Sequence, residues 1–102
     1  MSEWKPITVS ELEQVIARQL QACTSAQQVA FASLRVPIYP TPLRRLGNVE
    51  PVLVIAELGD GLIYFEDVEE GFEIGVPGPD GVLPEASNMQ YELCHLLHRA
   101  GL

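Results

Sequence analysis

Apolar residues early in the chain recur at helical spacing. Leu12, Val15, Ile16, Leu20 and Cys23, with Gln19 among them, fall on one stripe, and Glu11, Gln14, Arg18 and Gln21 fall opposite. A helix is predicted from Ser10, where Ser10-Glu11-Leu12-Glu13 has the form of a capping box, to about Ala22. Thr8 with Glu11 offers a second start two residues earlier. Thr24-Ser25, with Gln28 three residues beyond Ser25, opens a second helix through Ala26, Val29, Ala30 and Leu34. It must end near Arg35, because Pro37 removes a donor and biases Val36 away from helix.

The period then changes. Pro37-Ile38-Tyr39-Pro40-Thr41-Pro42 has to be extended, as polyproline II or as an edge strand, and reads as a stiff crossover between helices and sheet. Val52–Glu57 and Leu62–Phe65 are apolar runs on either side of Leu58-Gly59-Asp60-Gly61, which supplies the positive φ angles of a tight hairpin. Both runs are apolar on both faces and call for cover on two sides. Phe72–Val76 alternates like an outer strand. A last helix is expected from Ser87, with Gln90 in the capping-box position, to just before Gly101, with Met89, Leu93, Leu96, Leu97 and Ala100 inward. The predicted fold class is α+β: two N-terminal helices, a three-stranded antiparallel meander and a C-terminal helix, in one domain over residues 1–102.

Composition narrows the class. At 102 residues, 47% apolar and 20% charged, the chain can bury an ordinary core without staples. Met1–Gln14 lacks the basic start and apolar run of a secretory leader, and no apolar stretch approaches a membrane span, so a soluble cytoplasmic protein is expected. In a reducing compartment Cys23 and Cys94 are expected as free thiols, Cys23 acting as a small core hydrophobe.

Charge is the least ordinary feature. Residues 1–45 hold five basic and three acidic side chains, whereas residues 46–102 hold one basic and eleven acidic. A field so lopsided repels phosphate and attracts basic protein surfaces, which argues against nucleic acid as a partner. The densest cluster is Glu66, Asp67, Glu69, Glu70 and Glu73, five carboxylates within eight residues. Such a cluster can serve a divalent cation, an acid–base pair or a docking surface. It lacks the ligand register of a calcium loop, and acid–base work needs a pocket that spacing alone does not reveal. Cys94 and His98, one helical turn apart, are the only soft-ligand pair, too few for a structural zinc site. Gly-x-Ser-x-Gly, Walker and Gly-x-Gly-x-x-Gly patterns are absent, and no metal or cofactor is expected.

The runs Arg35-Val36-Pro37-Ile38, Arg45-Leu46-Gly47 and Tyr64 through Phe72 resemble a group of small acidic bacterial proteins of unknown function with a Glu-Asp-Val-Glu-Glu-Gly-Phe turn. The resemblance spans about residues 10–100. It departs where Gly75-Val76-Pro77-Gly78-Pro79 replaces more polar, aromatic residues. It implies a shared fold and supplies no site.

The leading expectation is a non-enzymatic acidic protein that docks a basic protein surface, as immunity proteins and adaptors do. Glu66, Asp67, Glu69, Glu70 and Glu73 would be contacts, with Tyr64 and Phe72 as aromatic anchors. One alternative is a small-molecule or metal binder, or an unrecognised enzyme, using the acidic turn or the Cys94/His98 helix face. Another is a homodimeric structural or regulatory subunit, motivated by the two-sided apolar strands.

Overall fold

A computed structural model of the protein describes residues 6–67, 70–85 and 91–102. The chain runs through α1 (Val9–Leu20), α2 (Ser25–Leu34), β1 (Arg35–Arg45), β2 (Asn48–Leu58), β3 (Gly61–Glu66), β4 (Gly71–Gly75) and α3 (Leu93–Arg99). The four strands form one antiparallel meander in the order β1-β2-β3-β4. The α+β class holds, with one strand more than expected.

Threonines, not serines, start the first two helices. Thr8 accepts from the Glu11 amide while the Glu11 carboxylate accepts from the Thr8 amide, and Thr24 and Gln27 repeat the exchange. The first box is the earlier of the two starts the sequence offered, two residues before Ser10, and the second sits one residue before the predicted box. The predicted cap at Ser87 with Gln90, and Met89 with it, lie outside the described residues. Tyr91 is in a β-bridge with Phe72, so the last helix begins only at Leu93.

The additional strand is the proline-rich crossover itself. Pro42 lies opposite Pro51 and Pro40 opposite Leu53. Antiparallel pairs alternate between exchanging amide bonds and not, so a Pro42/Pro51 pair must be of the second kind. The missing N–H groups of Pro42 and Pro40 therefore point to the outer edge, away from β2, where a sheet tolerates them. Pro51 escapes conflict because β3 pairs with β2 only from Leu53 onward.

One face of the sheet carries the helices. Leu12 and Ile16 of α1, Phe31 of α2, and Leu93, Leu96 and Leu97 of α3 pack on Ile55, Ile63, Phe65 and Phe72. Each such side chain contributes about 1.5–3 kcal/mol on burial. The other face holds Leu43, Val52, Val54 and Tyr64, covered by Leu83. The Leu83 amide donates to the Pro42 carbonyl and its carbonyl accepts from the Arg44 amide, both at 2.9 Å. The chain after β4 thus crosses the second face and bonds the outer edge of β1. Both apolar faces are covered within one chain, so the homodimer alternative loses the exposed sheet face it rested on. Val76, included in the predicted strand, is exposed beyond the end of β4.

Candidate functional site

The acidic connection between β3 and β4 does not form one open carboxylate patch. Glu66 and Glu73 point to the second sheet face and are buried, at 5% and 8% exposure. Arg45 reaches Glu66 and also Glu50, the latter at 3.1 Å. Arg99 approaches Glu73 at 3.9 Å, its guanidinium lying 4.2 Å from the centre of the Tyr91 ring. Asp67 is half-buried and accepts the Ile7 amide at 2.6 Å. Glu70 alone of the described four is exposed, and Glu69 lies outside the described residues.

The aromatic anchors fail on burial. Tyr64 is 1% exposed and Phe72 fully buried, Phe72 edge-on to Phe65 in the helix-side core, so neither reaches a partner. Their positions in alternating strands foretold burial as much as exposure. Tyr64 lies opposite Glu73 and on the same face as Glu66. Burial, and then the charges of Glu66 and Glu73, raise its phenol well above the ordinary tyrosine range. Burial pulls the Arg45 guanidinium down, but the charge and hydrogen bonds of Glu66 and Glu50 outweigh it and hold the group charged.

The cysteines are not free. Cys23, just past α1, is bonded to Cys94 in the first turn of α3, with Cα atoms 5.1 Å apart. A sequence separation of 71 hid this proximity, which arises because α3 packs against the end of α1. In the disulfide Cys94 cannot act as a thiolate ligand beside His98. Among the described residues no group of three or more His, Cys, Asp or Glu side chains is arranged to hold a metal ion. Among them, too, no helix is long and apolar enough to cross a membrane.

What the fold builds instead is a groove of about 520 Å³ between α1 and the β3–β4 turn. Ile7, Val15 and Phe65 give it an apolar side, and Glu11, Asp67 and Glu70 bring three carboxylates. Arg18 and Gln19 complete the α1 wall. Glu11 faces the groove while closing the capping box, and its hydrogen bonds from Thr8 hold its carboxyl below the usual range. Among the described residues Arg18 is the one cation there, and none of them pairs with it. Arg35, Arg44, Arg45 and Arg99 are all engaged internally, with Glu13, Asp80, Glu50 and Glu66, and Glu73 respectively. A smaller cavity of about 350 Å³ adjoins it, sharing Pro6 and Asp67, with Arg45 and Glu66 in its wall.

The structure therefore brings Asp67 and Glu70 to one place, joined by Glu11 from α1, and sends Glu66 and Glu73 elsewhere. The alternation of β3 and β4 carried the signal that Glu66 and Glu73 share the face of Tyr64. Nothing in the spacing of Glu11 and Arg18 pointed to the turn. Set against known proteins, the chain matches no family model, no curated protein and no solved structure.

Proposed function

We propose that the protein is a non-enzymatic binding protein that receives a basic segment of a protein partner in the groove between α1 and the β3–β4 turn. The observation that carries this reading is the composition of the groove: Glu11, Asp67 and Glu70 beside apolar Ile7, Val15 and Phe65, in a chain of net charge −8. A lysine or arginine side chain has this character, an apolar stem with a cationic head, and its stem gains from burial while its head stays near water. Arg18 gives the groove a polarity, favouring the cationic head at the turn and an acceptor near the end of α1. The two histidines, His95 and His98, do not line the groove, and binding needs only charge and shape. A cytoplasmic setting and the acidic bacterial proteins that the Glu66–Phe72 run resembles belong to this reading.

The experiment uses fluorescein-labelled oligolysine titrated by anisotropy, with amide chemical shifts to locate the contact. Shifts centred on residues 7–19 and 65–71, weakening steeply with salt and lost in Glu70→Lys, are expected. Shifts scattered over the surface, or affinity indifferent to Glu70→Lys, would refute the proposal.

A further inference from the structure

We infer that the Cys23–Cys94 bond is a reversible redox clamp on the wall of the acidic groove; the consequence for ligand binding rests on the groove being the binding site, the clamp itself does not. A domain of 102 residues with buried cores on both sheet faces does not need a staple to fold, so the bond is free to serve something more local. If the protein is cytoplasmic, a disulfide there is expected to be transient and redox-sensing, not permanent. Cys94 is only half-buried, which leaves an attacking thiolate a way in.

Gln19 joins the bond to the groove. Its side chain lines the groove, and its carboxamide oxygen accepts the Leu93 amide at the start of α3 at 2.6 Å. Its backbone carbonyl oxygen lies 3.6 Å from Cys23 Sγ and 3.4 Å from Cys94 Sγ, and already accepts the Ala22 amide at 3.1 Å. A dithiol reductant opens the bond with a balanced transfer: two electrons and two protons pass to Cys23 and Cys94, and the reductant closes to its own disulfide. Two things then change at Gln19. The sulfurs retreat from bonding distance to ordinary contact, roughly 1.5 Å further apart, which pushes the start of α3 from the end of α1. Two new S–H donors also compete with the Ala22 amide for a carbonyl that has two lone pairs. The Gln19–Leu93 bond and the last turn of α1 are the parts that must give.

The test compares the full-length protein as purified without reductant, after dithiothreitol, and as Cys23→Ser/Cys94→Ser. Thiol titration in denaturant comes first: two free thiols in the unreduced protein would overturn the inference. Amide hydrogen exchange is then read along the chain, with circular dichroism to monitor the fold. Reduction is expected to speed exchange at residues 15–23 and 93–97 on the order of tenfold, with β2 and β3 unchanged, and the double variant should match the reduced protein. Exchange unaltered by reduction would rule out a clamp, and global unfolding would make the bond a structural staple instead. Oligolysine affinity is measured in both states alongside. A redox response in exchange without oligolysine binding in either state would sink the groove reading and leave the clamp standing.

Discussion

Arg45 reaches across β2 to Glu66, pairing an edge strand with an inner strand on the second sheet face, with both side chains mostly buried. Glu50 on the intervening strand shares the same guanidinium. This pairing explains why the densest run of carboxylates in the sequence is not an open acidic face. It also makes Arg45 costly to lose. In Arg45→Met, Glu66 keeps its burial and loses the Arg45 guanidinium, and stability should fall by about 2–4 kcal/mol. Urea unfolding gives the value. Arg45→Met combined with Glu66→Leu should recover much of the loss, because the buried carboxylate goes too. Equal losses in the single and double variants would mean that the pair does not govern this corner of the fold.

Glu70 has φ of 55°, in the left-handed region where a side chain is strained, and it is exposed. Among the described residues nothing in the packing demands a glutamate there. Glu70→Gly should therefore stabilise the protein by about 0.5–1 kcal/mol while weakening oligolysine binding. Opposite signs in thermal unfolding and in anisotropy would mark Glu70 as retained for binding at the expense of stability. Tighter or unchanged binding would remove Glu70 from the site.

The β1–β2 turn, Leu46-Gly47, has positive φ at both residues, 49° and 81°, the pattern of a type I′ hairpin. Asparagine suits the first position far better than leucine, and Leu46 is 82% exposed, so no packing compensates the strain. The backbone anchor is independent of the side chain: the Leu46 amide donates to Glu85 at 2.9 Å. Leu46→Asn should raise stability by about 0.5–1 kcal/mol, a melting-temperature gain of a few degrees. No gain in calorimetry would mean that Leu46 makes a contact in solution that compensates its strain.

Local signals in this chain were legible and long-range ones were not. The spacing of Leu12, Ile16 and Leu20, and the glycines around Asp60, report neighbours a few residues apart, and the helix and the hairpin both formed, with the positive φ at Gly59 and not at Gly61. The α+β class followed from them. Residues 37–42 were legible as extended, with an edge strand one of two forms allowed; three prolines favoured the connector, whereas proline is compatible with an edge strand whose ladder bonds fall on its neighbours. The acidic turn misled for a different reason. Charge density along a chain says nothing of which carboxylates find a cation, and Arg45 and Arg99 come from strand and helix far away in sequence. The groove joins Glu11 and Arg18 to Glu70, and the disulfide joins Cys23 to Cys94, through tertiary packing alone.

Tyr64 makes the buried acidic corner visible in alkaline solution. Its phenol is raised by burial and by the neighbouring charges of Glu66 and Glu73, and Tyr39 shifts the same way through burial and Glu57. The unfolded chain releases these protons from about pH 10, where the folded protein still holds them. The unfolded state then binds fewer protons, so stability contributed by the neutral phenols is intact below pH 10 and falls as the pH rises beyond it. Urea midpoints measured between pH 8 and pH 11, as flagged by an ordinary tyrosine near 10, should therefore decline at the upper end. Tyr64→Phe should remove most of that decline, and Tyr39→Phe added to it most of the remainder. A slope that survives in both variants would place the alkaline-sensitive group elsewhere and count against the Tyr64 phenol being held among Glu66 and Glu73.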